Sequence, residues 1–70
     1  MNREYLISIV RNYRNQLGTT NHKPEADDAA DLLEEILDAG RNWQLLVPRI
    51  HTFVQHSERL IRRAMDGYYD

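Results

Sequence analysis

The sequence contains no cysteine, and long apolar runs are missing as well. Without cysteine, the chain can form neither disulfides nor a cysteine-ligated zinc site. Its apolar runs fall far short of the roughly 20 residues that a membrane-spanning helix needs. At the N-terminus, Arg3 and Glu4 precede a short apolar run and charge returns at Arg11, which is not the pattern of a secretory leader. We therefore expect a soluble protein of the cytoplasm that does not enter a membrane.

The short length of the chain limits how much core it can build. Its 70 residues make one domain at most, and we predict a single helical domain over residues 1–70. A domain of this size buries only about 60% of the surface of its unfolded chain. Such a core is marginal unless disulfides, metal or oligomerisation support it. With cysteine absent, oligomerisation is the support that remains, so the sequence predicts a homodimer.

The apolar residues recur with the period of an α-helix, and no segment alternates as a strand would. The predicted fold class is all-α: a helical hairpin followed by a longer third helix, as a small three-helix domain. From this period, the helices span about residues 3–17, 25–39 and 43–66. Gly18 and Gly40 are expected to end the first two, because glycine is common just after a helix.

Each predicted helix has one apolar face. The face of the first helix consists of Leu6, Ile9, Val10, Tyr13 and Leu17. That of the second consists of Ala26, Ala29, Ala30, Leu33, Ile36 and Leu37. That of the third consists of Trp43, Leu46, Val47, Ile50, Phe53, Val54, Ser57, Leu60, Ile61, Ala64 and Met65. Ile7 and Leu45 fall outside these faces, so we expect them to be exposed.

Pro48 complicates the third helix, because proline inside a helix removes a hydrogen bond and crowds the preceding turn. One interpretation is a single helix kinked at Pro48. The other is a separate short turn over residues 42–47, with the long helix beginning near Val47. We favour the kinked helix, since the apolar spacing continues through Pro48 without a break.

The second helix carries most of the negative charge. Its segment PEADDAADLLEEILDAG holds seven of the eleven acids and neither Lys nor Arg. Four of the acids follow one flank of the predicted apolar face: Asp27, Asp31, Glu34 and Asp38. The matching flank of the first helix carries Arg3, Arg11 and Arg14. One interpretation is therefore a ladder of surface ion pairs between the two helices. The other is an acidic face for a basic partner, with Asp28 and Glu35 pointing furthest into solvent.

Catalytic and metal-binding patterns are weak. Ser57 belongs to an apolar face, and its neighbour His56 points about 100° away around the helix, so the two form no nucleophile–base pair. His51 and His56 are five residues apart, which does not place two ligands on one helical face. We expect no catalytic residues, no metal site and no cofactor.

A nucleic-acid-binding role has some support from the segment EEILDAGRNWQLLVPRI, which faintly resembles a helix-turn-helix. Arg41 and Arg49 lie near its turn, and Arg59, Arg62 and Arg63 follow. A duplex would nevertheless meet the carboxylates of the second helix, and neutralisation of phosphates dominates DNA affinity. A DNA-associated regulator therefore remains an alternative, and we expect nucleic acid not to be the partner.

The remaining prediction is a non-enzymatic protein-binding module, regulatory or inhibitory, that binds a basic protein surface. The predicted partner-binding residues are Asp28, Asp31, Glu35, Asp38, Trp43 and Ile7. The third helix is too long for the hairpin to cover, so its surplus apolar residues are assigned to the homodimer: Ile50, Phe53, Val54, Leu60, Ile61 and Met65. In size and charge alone, the chain resembles small acidic helical inhibitors of phages and mobile elements. An assembly subunit without a separate target is a further alternative.

Overall fold

The computed structural model describes the backbone of residues 2–68 and the side chains of residues 2–65. Its elements are α1 (Arg3–Thr19), α2 (Lys23–Ala39), a 3-10 segment (Gly40–Leu46) and α3 (Val47–Tyr68). No strand occurs within this range, so the all-α prediction is confirmed. The prediction of three separate helices needs correction, because no loop separates α2 from α3. After α1, the chain forms one long bent helical stretch over residues 23–68.

The first helix begins at a side-chain cap and runs further than Gly18. The Asn2 Oδ1 atom accepts a hydrogen bond from the Tyr5 N–H at 2.7 Å, as an N-terminal cap does. At the other end, Asn21 has a φ of 65°, and the His22 N–H donates to the Leu17 carbonyl at 2.8 Å. Asparagine tolerates this left-handed conformation. Asn21 therefore ends the helix, and Gly18 lies inside its last turn.

The inward face of α2 is rotated relative to the predicted one. The buried residues are Ala29, Leu32, Leu33 and Ile36. Leu32 is only 5% exposed although the prediction left it out, whereas Leu37, predicted to point inward, is 52% exposed. At 100° per residue, the centre of the face moves by about 50°. This rotation changes where the acids of α2 point.

The bend between α2 and α3 lies in the 3-10 segment and not at Pro48. Gly40, with a φ of 57°, follows the last residue of α2. The α3 helix starts at Val47, which places Pro48 in its first turn. A proline is tolerated there because that N–H has no partner within the helix. The favoured kinked helix over residues 43–66 was therefore wrong, and the alternative of a separate turn before Val47 is confirmed.

The core lies between the hairpin and the first half of α3. One cluster of buried residues contains Leu6, Val10, Ala29, Leu32, Leu33, Ile36 and Ile50. Half-buried residues pack against it: Ile7, Trp43, Leu46, Val47, Phe53 and Val54. The most extensive helix packing is that of α1 against α2. The α3 helix packs mainly against α1 and makes few contacts with α2. The molecule is elongated, at 45 × 19 × 15 Å.

Candidate protein-binding surfaces

The acids of α2 form a face that points away from the core. We call this set the outward acidic face: Asp27, Asp31, Glu34 and Asp38. All four side chains are exposed. Because the buried face of α2 centres on Ala29 and Ile36, the helical period places these acids roughly opposite the core and not along the flank beside α1.

The predicted ladder of ion pairs with α1 does not form. Among the described side chains, no Lys, Arg or His comes within 4.0 Å of a carboxylate of the outward acidic face. Arg3, expected to be part of the ladder, instead donates a long hydrogen bond of 3.4 Å to the Leu37 carbonyl. The reason is the rotation of α2, which turns its acids towards solvent. The outward acidic face thus carries four exposed carboxylates that form no close ion pair with the described side chains.

Glu35 behaves differently from the outward acids. Its carboxylate lies 2.6 Å from the Arg49 guanidinium in the first half of α3. The prediction placed Glu35 and Asp28 furthest into solvent, and the rotation of α2 places both on the flank of the helix instead. With side chains 48% and 60% exposed, the Glu35–Arg49 pair is worth about 0–1 kcal/mol at most. It does link α2 to α3, which otherwise meet little.

The two apolar residues predicted to bind a partner are partly used by the fold. Trp43, in the 3-10 segment, and Ile7, on α1, are half-buried and pack against the core cluster. Leu45, also in the 3-10 segment, is 79% exposed. The prediction that Leu45 points outward is therefore confirmed, whereas Ile7 contributes to the core.

A groove lies between α1 and α3, and no residue of α2 lines it. Its volume is about 390 Å³. The lining residues are Tyr5, Leu6, Ile9, Asn12, Tyr13, Val47, Ile50, His51 and Val54. This groove was not predicted from the sequence, because most of its lining residues were assigned to inward helix faces. The sequence signal for the groove was Tyr5, an aromatic residue one turn before Ile9 that lies outside the predicted apolar face. In the structure its side chain is 56% exposed.

Tyr13 of α1 lines the groove and contacts two residues of α3. Its hydroxyl donates a hydrogen bond to the Glu58 Oε1 atom at 3.0 Å. Its ring meets that of Phe53 edge to face, with centroids 6.3 Å apart and planes at 87°. Burial raises the pKa of Tyr13, and the Glu58 carboxylate raises it further, while Arg62 acts in the opposite direction. The neutral phenol is therefore the form that the structure favours.

Ser57, its neighbour His56 and the possible metal ligands are the other polar groups that the sequence analysis considered. Ser57 is fully buried, and its Oγ atom has no hydrogen-bond partner among the described residues. His56 beside it is exposed. Across the side chains of residues 2–65, no three His, Asp or Glu residues converge as metal ligands would. None of the described helices combines the length and apolar character that a membrane crossing would need.

Comparisons with known proteins do not add to this geometry. No family model matches the chain, and no match was found among curated proteins or solved structures. Two surfaces of the molecule therefore remain as candidates for binding. These are the outward acidic face of α2 and the apolar groove between α1 and α3.

Proposed function

We propose that this protein is a non-enzymatic, protein-binding module that recognises a basic surface of another protein through the outward acidic face of α2. The observation that supports the proposal is the lack of any cation, among the described side chains, within 4.0 Å of Asp27, Asp31, Glu34 or Asp38. A set of carboxylates without intramolecular partners is available to a partner's Lys and Arg side chains. Charge complementarity of this kind speeds association and selects partners.

The acids of this face do not stabilise the helix that carries them. Asp27 and Asp31 are four residues apart, as are Glu34 and Asp38, and like charges at this spacing destabilise a helix by about 0.2–0.5 kcal/mol per pair. Asp38 lies in the last turn of α2, which contains no basic residue. The negative end of the helix dipole disfavours an acid there. A cost in stability without internal compensation supports a role outside the fold.

A regulatory or inhibitory role is the form of binding that we favour, because a small acidic module can occupy a basic surface that would otherwise contact another ligand. A DNA-associated regulator receives less support. The joint between α2 and α3 is a 3-10 segment of seven residues (Gly40–Leu46), and α2 and α3 hardly contact each other. A helix-turn-helix instead joins two packed helices by a turn of about three or four residues.

Paired neutralisations on one helix test the proposal. Asp31→Asn with Asp38→Asn removes two charges from the outward acidic face. Asp28→Asn with Glu35→Gln removes two charges from the flank of the same helix and serves as the control, because net charge changes equally. Each form is immobilised, exposed to cell lysate at low salt, and its captured proteins are identified by mass spectrometry.

We expect the wild type and the flank control to retain a common basic protein that the face variant loses. High salt should release that protein, since it screens exposed charges. Equal capture by the face variant and the wild type would reject the outward acidic face as the binding site. Capture of nucleic acid that depends on Arg59, Arg62 and Arg63 would instead favour the DNA-associated alternative.

A further inference from the structure

We infer that the second half of α3 opens as a separate unit, held closed by Tyr13 and weakened by Ser57. We call residues 57–65 of this helix the α3 arm. In the closed form, which the structure shows, the arm is helical and its Glu58 contacts α1. In the open form, the arm leaves α1 and its helix melts. The inference is independent of the outward acidic face, which belongs to α2.

Burial changes along α3 where the arm begins. The core cluster contains Ile50, and the last α3 residue that packs against it is Val54. No residue of the arm belongs to this cluster or packs against it. In the arm, Leu60 and Ile61 are only half-buried, and Met65 is 55% exposed. Regions with few buried apolar contacts open at a lower free energy than the core. The arm is therefore the less stable half of α3.

Ser57 is the weak point of the arm's contact with the rest of the chain. It is the one fully buried residue of the arm. Its Oγ atom has no hydrogen-bond partner among the described residues. A buried hydroxyl that has lost its water without gaining a partner disfavours the buried state. Opening of the arm returns the Oγ atom to water, so Ser57 lowers the free energy of opening.

Tyr13 acts in the opposite direction, as a latch. Its hydroxyl donates to the Glu58 Oε1 atom at 3.0 Å, which is the one side-chain hydrogen bond that joins the arm to α1 among the described residues. The ion pair between α2 and α3, Glu35 with Arg49, lies in the first half of α3. Phe53, which the Tyr13 ring contacts edge to face, also precedes the arm. Opening therefore breaks the bond to Glu58 while the ring of Tyr13 keeps its place on Phe53.

An arm that leaves α1 also loses its helical hydrogen bonds. The arm is only about 2.5 turns long at 3.6 residues per turn. Most of the stability of a helix in a protein comes from the packing of its apolar face, and short helices without such packing are marginal in water. Detachment and melting of the arm are therefore coupled. The amide hydrogens of the open arm exchange with solvent, which makes the open form measurable.

The apolar residues that the sequence assigns to a homodimer fall on both sides of the boundary of the arm. Ile50 lies in the core cluster, and Phe53 and Val54 pack against it, so the single chain uses all three. The other three belong to the arm: Leu60, Ile61 and Met65. Opening uncovers Leu60 and Ile61, which the closed form half buries. A partner that binds these two side chains would therefore select the open form.

Hydrogen exchange of the full chain, followed amide by amide by NMR, tests the unit directly. We expect the amides of residues 58–65 to share one free energy of opening, lower than that of residues 50–54 in the same helix. The step between the two groups distinguishes a cooperative unit from ordinary fraying of a helix end. Protection that falls gradually from residue 50 to residue 65, without a step, would overturn the proposal.

Two variants test the opposing roles of Tyr13 and Ser57. Tyr13→Phe keeps the ring but removes the hydroxyl, so exchange in the arm should become about twofold to tenfold faster while that of α2 stays unchanged. Ser57→Ala removes the unpartnered hydroxyl, so exchange in the arm should become at least about fivefold slower. Helix propensity alone accounts for about threefold at most.

Ser8→Ala is the matched control, because it makes the same chemical change at an exposed position of α1. Exchange in the arm should be the same in this variant as in the wild type. Unchanged exchange of the arm in Tyr13→Phe would contradict the latch. Slowing by about threefold or less in Ser57→Ala would contradict the role of the buried hydroxyl.

Discussion

The orientation of α2 makes a quantitative prediction, because it decides which of two leucines is buried. Leu32 is 5% exposed and belongs to the core cluster, whereas Leu37 is 52% exposed. Truncating either residue to alanine removes the same atoms from the same helix. The pair Leu32→Ala and Leu37→Ala therefore compares burial alone, with helix propensity and side-chain chemistry held constant.

The two truncations should differ severalfold in cost. Leu→Ala in a packed core costs about 2–5 kcal/mol, including the cavity that remains. Fully burying a leucine is worth about 1.5–3 kcal/mol, so losing the half-buried side chain of Leu37 should cost about 1 kcal/mol. For a domain of this size, 1 kcal/mol lowers the melting temperature by about 4–8 °C. By the same conversion, Leu32→Ala should lower it about two to five times as much as Leu37→Ala, by at least about 8 °C against about 4–8 °C.

Urea unfolding followed by circular dichroism at the helical band measures both free energies of unfolding. A comparable slope with urea in the three proteins would show that each loses a similar amount of structure. Because the stability of any protein that self-associates depends on its concentration, all three are compared at one concentration. If Leu37→Ala destabilises as much as Leu32→Ala or more, the assigned inward face of α2 is wrong. The assignment of the outward acidic face depends on it and would be wrong as well.

The remaining predictions concern Tyr13 and two glycines. The pKa of Tyr13 is raised above its ordinary value of 10.0 by burial and then by Glu58, so Glu58→Gln should lower it in a tyrosinate absorbance titration. A raised folded pKa means that this contribution to stability is complete below about pH 10 and is lost as the pH rises through the folded value; Tyr13→Phe should remove that alkaline loss from the stability profile. Gly18→Ala should raise the free energy of unfolding by about 0.5–1 kcal/mol, because an added methyl group in the last turn of α1 meets nothing within 4 Å. Gly40→Ala should lower it by about 1–2 kcal/mol, since its φ of 57° strains any side chain.

The helical class and most core positions could be predicted from periodicity, but the exact face of α2 could not. Alanine fits either a buried or a half-exposed position. Counting Ala26 and Ala30 as inward residues therefore centred the predicted apolar face closer to Leu37. The burial of Leu32 sets the observed inward face, and no neighbouring residue in the sequence marks Leu32 as buried. Because several of its residues are small, the apolar period locates the centre of this face only to within about 50°. That modest error moved every acid of α2 relative to α1.

Pro48 illustrates a conflict between two valid sequence signals. The apolar spacing continues from Trp43 to Phe53, which favours one helix, whereas proline favours a helix start. The structure satisfies both, because the 3-10 segment keeps Trp43 and Leu46 against the core before α3 begins at Val47. A fixed helical period of 3.6 residues cannot describe a segment with a different period.

The groove between α1 and α3 depends on tertiary placement and not on any local pattern. Its walls come from residues that look like core, such as Ile9 and Val54, and only the incomplete cover of one helix by another exposes them. How open the groove is depends on which side of α3 the first helix occupies, and no local sequence pattern indicates that.

Association kinetics with the protein that the wild type captures show whether the outward acidic face binds a basic partner. Rate constants are measured for the wild type and for the variant Asp31→Asn with Asp38→Asn, at low and at high salt. Exposed interfacial charges act mainly on the association rate, and salt screens them. We predict that the variant associates more slowly at low salt and that the two rates converge at high salt. Equal association rates at low salt would contradict the account.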